Sequence, residues 1–367
     1  MTLPEKMSGV YLTGHGGPEK LEWREDIPVP RPAAEEVLVR VLAAGVNNTD
    51  INTRIGWYAS EVTSATEDTD QEVEAGGWSG GLNFPMIQGG DLCGEVVALG
   101  DGAAKFTKGK RVTCPINQPR PTPENPVGFE ALGSEYNGAF AQYCVVPESD
   151  LYDVTDAPLT DVELAAIPCA FGTGAGLLHR AGVRVGQSVL ITGASGGVGM
   201  AAVQLAARMG AKVTGISSAS KFGFVRDAGA ADVLERGKPP EAGRYDVLID
   251  LVAGPDWPDL IDALKPGGHY AVAGAIAGPI VEADLRRIYL RDITLHGCTY
   301  QPPEVFRSLV DLVNAGHIKP LVSKTFPLQD IALAQEEFMS KRHAGKLVLI
   351  PPSTNNQENR HGRYNAS

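Results

Sequence analysis

The stretch ITGASGGVG, from Ile191 to Gly199, contains the residues of this sequence best suited to bind a phosphate. The preceding residues predict a short buried strand, and the residues after it predict a helix rich in small side chains. Gly196, Gly197 and Gly199 fall at the turn between the two. Glycine there allows a tight turn, close helix–strand packing and close approach of the backbone to a pyrophosphate. The helix start then attracts the phosphate charge. We expect this loop to bind a dinucleotide through Ala194, Ser195, Gly196, Gly197, Val198 and Gly199, with Ala194 in place of the first glycine of the usual triplet.

The next predicted strand, AKVTGIS, indicates which dinucleotide is bound. NAD-specific folds of this kind end that strand with an acidic residue that binds the ribose 2′-hydroxyl. Here the position is Ser217, followed by Ser218 and Lys221. A carboxylate would repel a 2′-phosphate, whereas hydroxyls and an ammonium bind it. The serines would also cap the start of the following helix. Capping and phosphate binding are compatible, because a capped helix start is itself an anion site. We expect NADPH rather than NADH.

Length and composition restrict the class of protein. The chain has 367 residues, 43% of them hydrophobic and 21% charged, which is typical of a soluble enzyme with more than one domain. A net charge of −12 argues against nucleic acid or an anionic membrane as partner. No apolar run approaches the roughly 20 residues that cross a bilayer, and the N-terminus has no signal-peptide core. The five cysteines include no CxxC pair, so we expect reduced thiols in a cytoplasmic protein.

The pattern of predicted elements changes along the chain. Residues 1–157 predict short strands broken by Pro and Gly. Residues 158–301 alternate predicted strands and helices, which is the pattern of a doubly wound parallel sheet. In residues 302–352 an amphipathic helix precedes a last strand, KLVLIPP, that we expect to return to the first domain. Residues 353–367 are a polar tail.

An acidic segment interrupts the first domain. Residues 59–82 contain six acidic and no basic side chains. One interpretation is a solvated loop. The other is a lid over the active site, which the neighbouring aromatic residues Trp57, Tyr58 and Trp78 favour.

Motifs along nearly the whole chain resemble the medium-chain dehydrogenase/reductase superfamily. In order they are VLVRVLAAGVNNTDINTRIGWY, GGDLCGEVVALG, PCAFGTGAG, VLITGASGGVG, LKPGGHYAVAG and HAGKLVLI. The chain is most similar to the zinc-independent branch of quinone oxidoreductases and enoyl-thioester reductases. The resemblance implies an α/β protein with two domains. These are a GroES-like β-rich catalytic domain (1–157 and 302–352) and a Rossmann NADPH-binding domain with a doubly wound parallel sheet (158–301).

The resemblance also argues against a catalytic zinc ion. Zinc alcohol dehydrogenases supply a Cys, a His-Glu pair and a further Cys as ligands. The matching positions here are Asn47, Gly90-Asp91 and Cys169, so only the last ligand is present. The four-cysteine structural zinc lobe is missing as well. We therefore expect no metal and a reaction that proceeds without a Lewis acid, which disfavours simple alcohol oxidation.

The resemblance assigns further residues to the cofactor. Thr173, in FGTGAG, matches a threonine beside the nicotinamide ring, and Asn47 lies against the ring or the substrate. Asp50 matches an acid common to the family, with a structural rather than a catalytic role. The residues expected to line the rest of the cofactor site are Val252, Ala253, Gly274, Ala275 and Lys346. Those at the strand ends could equally serve turns and packing.

Tyr58 is the candidate catalytic residue, together with Asn47. Its spacing from NNTDIN matches the tyrosine with which enoyl-thioester reductases donate a proton or orient the substrate. A phenol with a pKa near 10 can protonate an enolate carbon in a dry pocket. Asn52 stands where many quinone oxidoreductases have another tyrosine, so the sequence leans away from those members. The alternative for Tyr58 is an aromatic wall of the pocket.

The sequence therefore predicts an NADPH-dependent, zinc-independent reductase of quinones or activated C=C bonds. A zinc-type alcohol dehydrogenase and a noncatalytic NADPH-binding protein are the alternatives. The predicted strands HYAVAGAIAG and TLHGCTY end the sheet on an apolar edge, which proteins rarely leave open. In the superfamily that edge commonly pairs across a two-fold axis. We expect a homodimer or a dimer of dimers.

Overall fold

The computed structural model describes residues 3–68 and 82–353 of the chain. Most of the predicted acidic excursion, residues 69–81 with Trp78, lies outside the described residues, as do residues 354–367 of the predicted tail. No helix within the described ranges is both long and apolar enough to cross a membrane.

The regular structure in the first part of the chain consists mainly of strands. Its strands are β1 (Lys6–Leu12), β2 (Leu21–Pro28), β3 (Glu36–Val46), β4 (Cys93–Leu99), β5 (Arg111–Thr113), β6 (Asn117–Pro119), β7 (Phe129–Ala131), β8 (Tyr143–Pro147) and β9 (Tyr152–Asp153). The helix α1 (Asn48–Arg54) follows β3 directly. This agrees with a region of short strands broken by Pro and Gly.

The rest of the chain alternates strands and helices. The elements that follow are α2 (Asp161–Leu164), α3 (Pro168–Arg180), β10 (Ser188–Ile191), α4 (Gly197–Arg208), β11 (Lys212–Ser217), α5 (Phe222–Asp227), β12 (Asp232–Glu235), β13 (Tyr245–Asp250), α6 (Trp257–Asp262), β14 (Leu264–Val272), α7 (Arg286–Tyr289), β15 (Thr294–Gly297), α8 (Pro303–Asn314), β16 (Val322–Pro327), α9 (Ile331–Met339) and β17 (Lys346–Ile350).

A parallel sheet organises the middle of the chain. Its strand order is β12-β11-β10-β13-β14-β15, with each neighbouring pair parallel. This is the Rossmann order, in which the first strand lies centrally and the chain builds outward on both sides. The crevice at the point of reversal, between β10 and β13, is where such sheets bind a dinucleotide. The doubly wound sheet predicted from the sequence is confirmed.

The second sheet belongs to the β-rich domain and is closed by the end of the chain. Its order is β16-β17-β3-β4-β5-β9, and β8 also pairs with β3. The last strand β17 runs antiparallel to β3, with Leu347 opposite Val46. The helix α8, by contrast, packs its buried face, including Phe306 and Leu309, into the core around α3 and α4. The chain therefore brings its last strand next to the residues that follow β3.

Candidate cofactor and active site

The glycine turn after β10 has the shape that a phosphate needs. Gly193 has a positive φ of 57°, and Gly196 precedes the first residue of α4. A Cβ atom on Gly199 would clash with the carbonyl oxygen of Gly193. The first turn of α4 contains no acidic residue, so the start of this 12-residue helix is free to attract an anion. The turn fits the pyrophosphate of a dinucleotide.

Ala194 departs from the glycine pattern without closing this turn. Its side chain is fully buried and points at Gly215 of β11, whose missing Cβ would lie 2.9 Å from the Ala194 methyl. The methyl group therefore packs into the core behind the loop, where a glycine on the next strand leaves room for it. Ala194 serves the packing of the loop rather than the cleft.

A cleft of about 1290 Å³ passes over this turn and between the two domains. The structure places most of the predicted site residues on its walls: Asn47, Tyr58, Thr173, Ser195, Gly196, Gly197, Val198, Gly199, Lys221, Val252, Ala253, Gly274, Ala275 and Lys346. Ser217 is 1% exposed, and its hydroxyl donates to the carbonyl of Ser218 at 3.2 Å, so it lies under the wall of the cleft.

The cleft has a buried charged network at its floor. The Lys346 ammonium donates to Asp91 Oδ2 at 2.8 Å, to the carbonyl of Val46 at 2.9 Å and to Asn47 Oδ1. Asn47 Nδ2 donates to the same Asp91 oxygen at 2.9 Å, and the backbone N–H of Cys169 donates to Asp91 Oδ1 at 2.6 Å. Lys346 and Asp91 are buried, with side-chain exposures of 4% and 0%. Four segments of the chain meet at one carboxylate.

This network does not fit a zinc ion. Both Asp91 oxygens already accept hydrogen bonds, and the ammonium of Lys346 supplies the positive charge that the carboxylate needs. Burial raises the pKa of the Cys169 thiol to about 12, and Cys169 is the only cysteine at the positions that match the zinc ligands. Across residues 3–68 and 82–353, no cluster of three or more His, Cys, Asp or Glu side chains could hold a metal.

Asp50 supports the loop that carries Asn47. Its carboxylate accepts the backbone N–H of Asn47 at 2.8 Å and forms the capping box of α1. Burial, with a smaller contribution from the charge of Asp91, raises the pKa of Asp50 to about 7. The side chain is 5% exposed and is not part of the cleft wall described above. Its place agrees with the structural role expected from the sequence.

Tyr58 and Trp57 form an aromatic corner of the cleft. Their rings meet edge to face with centroids 5.5 Å apart, and Trp57 Nε1 donates to the carbonyl of Ser64 at 3.1 Å. Beyond this corner the backbone N–H of Thr66 donates to the carbonyl of Ile276, in the Rossmann domain, at 3.4 Å. The described part of the acidic segment therefore bridges the two domains beside Tyr58.

Two buried polar atoms belong to α1, which begins directly after Asn47. Thr49 Oγ1 and Asn52 Oδ1 are buried, belong to residues on the cleft wall, and form no hydrogen bond within the described part of the chain. An unpaired buried polar atom destabilises a protein by about 1–3 kcal/mol. A bound hydroxyl or water, which can both donate and accept, would remove that cost for either atom. From the sequence, Asn52 was recognised only as a difference between subfamilies, and its place at the site was not predicted.

The adenosine end of the cleft has a cluster of cations that the sequence analysis found only in part. Lys221 donates to the carbonyls of Lys341 and His343 at 2.6 and 2.7 Å. Burial and then the charge of Arg236 lower the pKa of Lys221. Burial also lowers the pKa of Lys341, opposed by Glu67 and reinforced by Lys221. All three cations line the cleft.

Strand register explains how Arg236 reaches this position. Ser217 on β11 stands opposite Glu235 on β12, and the backbone N–H of Arg236 donates to the carbonyl of Ser217 at 2.9 Å. Arg236, the first residue after β12, therefore lies beside the end of β11. Arg236 could have been predicted from the register of the two parallel strands, because their carboxyl ends meet at one edge of the sheet.

Comparisons with known proteins agree with this architecture. Residues 33–156 match the family model described as alcohol dehydrogenase GroES-like domain, and residues 223–349 match the model described as zinc-binding dehydrogenase. The residues that match the zinc ligands of related enzymes, Asn47, Gly90-Asp91 and Cys169, all lie before this second range.

Curated relatives span nearly the whole chain. A quinone oxidoreductase of Homo sapiens is 28% identical over 94% of this chain and 98% of its own. An acryloyl-coenzyme A reductase of Metallosphaera sedula is also 28% identical, over 94% and 99%. A solved structure of a putative alcohol dehydrogenase from Sinorhizobium meliloti 1021 is 39% identical, with a TM-score of 0.87 over 95% of this chain and 98% of that one.

Proposed function

The chain belongs to the medium-chain dehydrogenase/reductase superfamily, and on that premise we propose that it is an NADPH-dependent, zinc-independent reductase of quinones or activated C=C bonds. Membership makes it an oxidoreductase that uses a nicotinamide cofactor. The quinone oxidoreductase and acryloyl-coenzyme A reductase among its relatives support the choice of substrate class.

The observation that carries the proposal is the contact of the Lys346 ammonium with Asp91 and Asn47. By the resemblance, Asn47 and Asp91 match positions of zinc ligands in related enzymes, and here the two residues and Lys346 satisfy one another's charge and hydrogen bonds. The site therefore favours substrates whose electron-poor carbon accepts hydride without a Lewis acid. Quinones, enones and enoyl thioesters have such a carbon.

Charge at the adenosine end supports NADPH. No carboxylate follows β11 at the position that would bind a ribose 2′-hydroxyl, since Ser217 stands there. Glu235, opposite Ser217, is paired with Lys238 at 2.8 Å. Besides Lys238, this end of the cleft is lined by Lys221, Arg236 and Lys341, which form no ion pair within the described residues. A 2′-phosphate would relieve their mutual repulsion.

The glycine turn after β10 and the cations Lys221 and Arg236 would hold NADPH, which would supply the hydride for reduction. The chain's own residues supply the rest. Thr49 and Asn52 offer unpaired polar atoms to the substrate near Asn47. Tyr58, on the wall of the same cleft, donates the proton that completes reduction of a C=C bond. For a quinone, whose reduced oxygens take protons from water, this donor is not needed.

We also propose a homodimer or a dimer of dimers formed through the edge of the parallel sheet. β15 is the outermost strand on its side. Residues before it expose large apolar side chains, with Leu290 at 70% and Tyr289 at 62%. Sedimentation of a monomer at micromolar concentration would contradict this.

A panel of substrates tests the function. Oxidation of NADPH is followed with a quinone, an enone and an enoyl-CoA ester, and the reduction of NADP⁺ is followed with primary and secondary alcohols. The proposal expects turnover of at least one acceptor and negligible alcohol oxidation. Alcohol oxidation alone would contradict it. Tight NADPH binding without any turnover would instead favour a noncatalytic NADPH-binding protein.

A further inference from the structure

The segment between α9 and β17 is tied to a lysine of the proposed cofactor site. Lys221 donates to the carbonyl of Lys341 at 2.6 Å and to the carbonyl of His343 at 2.7 Å. An ammonium has three N–H donors, so Lys221 keeps one for a ligand. All three residues line the cleft. A group that binds to Lys221 therefore also meets the segment that carries His343.

The ring of His343 packs on α9 beside these lysines. It is tilted against the ring of Phe338, with the two centroids 5.3 Å apart. The charged residues that act on it are Lys221, Lys341 and Glu337, and the backbone of Glu337 is also within hydrogen-bonding reach. The Nδ1 atom of His343 is buried and forms no hydrogen bond with the residues that the structure describes. One ring nitrogen is thus unpaired in a group of cations.

The surroundings of His343 keep its imidazole neutral. Burial first, and then the charges of Lys221 and Lys341, lower the pKa of His343 to about 4, while Glu337 opposes the shift. A neutral imidazole has one N–H and one acceptor nitrogen. A hydrogen bond to the backbone of Glu337 uses the N–H, and the remaining lone pair repels an anion. Only the imidazolium, with an N–H on both nitrogens, can bind the backbone and an anion together.

Packing explains the ring of His343 but not its nitrogens. An apolar side chain would pack on Phe338 without burying an unpaired polar atom, which costs about 1–3 kcal/mol. An anion in the cleft accounts for both features of the histidine. It offsets the charge of the two lysines, and it accepts the N–H of a protonated ring in a charge-assisted hydrogen bond.

The 2′-phosphate of the proposed cofactor is such an anion. In the proposed site it binds to Lys221 and Arg236. A phosphate oxygen at about 2.9 Å from the Lys221 ammonium lies within about 6 Å of the His343 carbonyl oxygen, which accepts from the same ammonium. An opposite charge at about 4–6 Å favours the charged form of a side chain. Phosphate binding therefore opposes the repulsion that keeps His343 neutral.

We propose that His343 binds the 2′-phosphate of NADPH as an imidazolium, so that NADPH is bound together with a proton taken from the solvent. This rests on the proposed use of NADPH, since NADH has no 2′-phosphate. Lys221 and Arg236 carry their charges throughout the neutral range, whereas His343 adds its contact only with a proton. The affinity for NADPH relative to NADH therefore rises as the pH falls.

Titration of both cofactors at two pH values tests this. Dissociation constants are measured by fluorescence at about pH 8 and about pH 6.5, a range in which the phosphate is mostly a dianion. The proteins are wild type, His343→Gln and, as control, His317→Gln at an exposed position off the cleft. On acidification the preference for NADPH over NADH should rise by about 3- to 30-fold in wild type and His317→Gln. In His343→Gln it should stay nearly constant.

Proton uptake by wild type gives a second measurement, which stands even if His343→Gln does not fold. Calorimetry at neutral pH in two buffers of different ionisation enthalpy should show at least about 0.3 proton taken up with NADPH and none with NADH. Equal uptake with the two cofactors, or a pH dependence that persists in folded His343→Gln, would overturn the role of His343. A pH-independent preference for NADPH overturns this role alone. No preference for NADPH at either pH overturns the cofactor assignment as well.

Discussion

The Lys346 ammonium lies 2.8 Å from Asp91 Oδ2, and the two side chains are only 4% and 0% exposed. The pair joins the first residue of β17 to a carboxylate 255 positions earlier in the sequence. Charges buried in this way are stable only when each has its partner. The lysine therefore both closes the β-rich domain and fixes Asn47 at the floor of the cleft.

Lys346→Met should destabilise the protein strongly. It leaves the Asp91 carboxylate buried without its cation, which costs about 3–5 kcal/mol. Urea denaturation measures the loss, and Lys108→Met, at an exposed site, should cost less than about 0.5 kcal/mol. Adding Asp91→Asn to Lys346→Met should restore part of the stability, because the unpaired charge is then gone. A loss below about 1 kcal/mol for Lys346→Met would mean that the pair contributes little.

Asp50 should make stability fall as pH rises toward neutrality. Its pKa is about 7 in the folded protein against 3.8 as the ordinary value. The folded state then binds the proton more tightly, and stability present below pH 4 is lost as pH rises to 7, by at most about 4 kcal/mol. The free energy of unfolding of wild type minus that of Asp50→Asn should fall across this window. A flat difference would show that Asp50 is ionised throughout.

Arg236→Gln should weaken NADPH more than NADH. If Arg236 binds the 2′-phosphate, its loss costs about 1–3 kcal/mol for NADPH and leaves NADH nearly unchanged. Fluorescence titration of both cofactors measures this, with Arg226→Gln on the exposed side of α5 as control. Equal weakening of both cofactors would rule out a phosphate contact. Lys221→Ala is a less specific probe, because its ammonium also binds the carbonyls of Lys341 and His343.

Activity should survive removal of metals. The hydrogen bonds within the Asn47–Asp91–Lys346 network leave no open ligand for zinc. After exhaustive dialysis against a chelator, the rate with a quinone or enone should be unchanged, and elemental analysis should find no stoichiometric zinc. One zinc per chain, lost together with activity, would refute the proposed chemistry.

Tyr58→Phe distinguishes a proton donor from a pocket wall. As a donor the hydroxyl acts on the transition state, so its loss should lower kcat on enones by about 10²–10⁴-fold with little change in KM. Quinones should be affected much less. The ring stays in both proteins and keeps its contact with Trp57. If the variant stays within about threefold of wild type on both substrate classes, Tyr58 is only a wall.

The features that the sequence predicted correctly are those that depend on residues close together in the chain. Gly196, Gly197 and Gly199 located the phosphate turn, and alternation of strands and helices predicted the parallel sheet, since both depend on residues near one another in the chain. Long-range relationships were less accessible. Lys346 was expected beside the cofactor and lines the cleft, yet its ammonium is turned into the network with Asp91. Arg180 was not predicted, because only the fold shows that the end of α3 lines the cleft.

The return of β17 to β3 has a consequence for synthesis of the protein. Asp91 leaves the ribosome 255 residues before Lys346, which is roughly 10–50 s earlier at translation rates of about 5–20 residues per second. During that interval the parallel sheet can fold as a unit, whereas the β-rich domain has a carboxylate with no counter-ion and an unpaired edge on β3. The unfinished domain is thus the part of the nascent chain most in need of a chaperone.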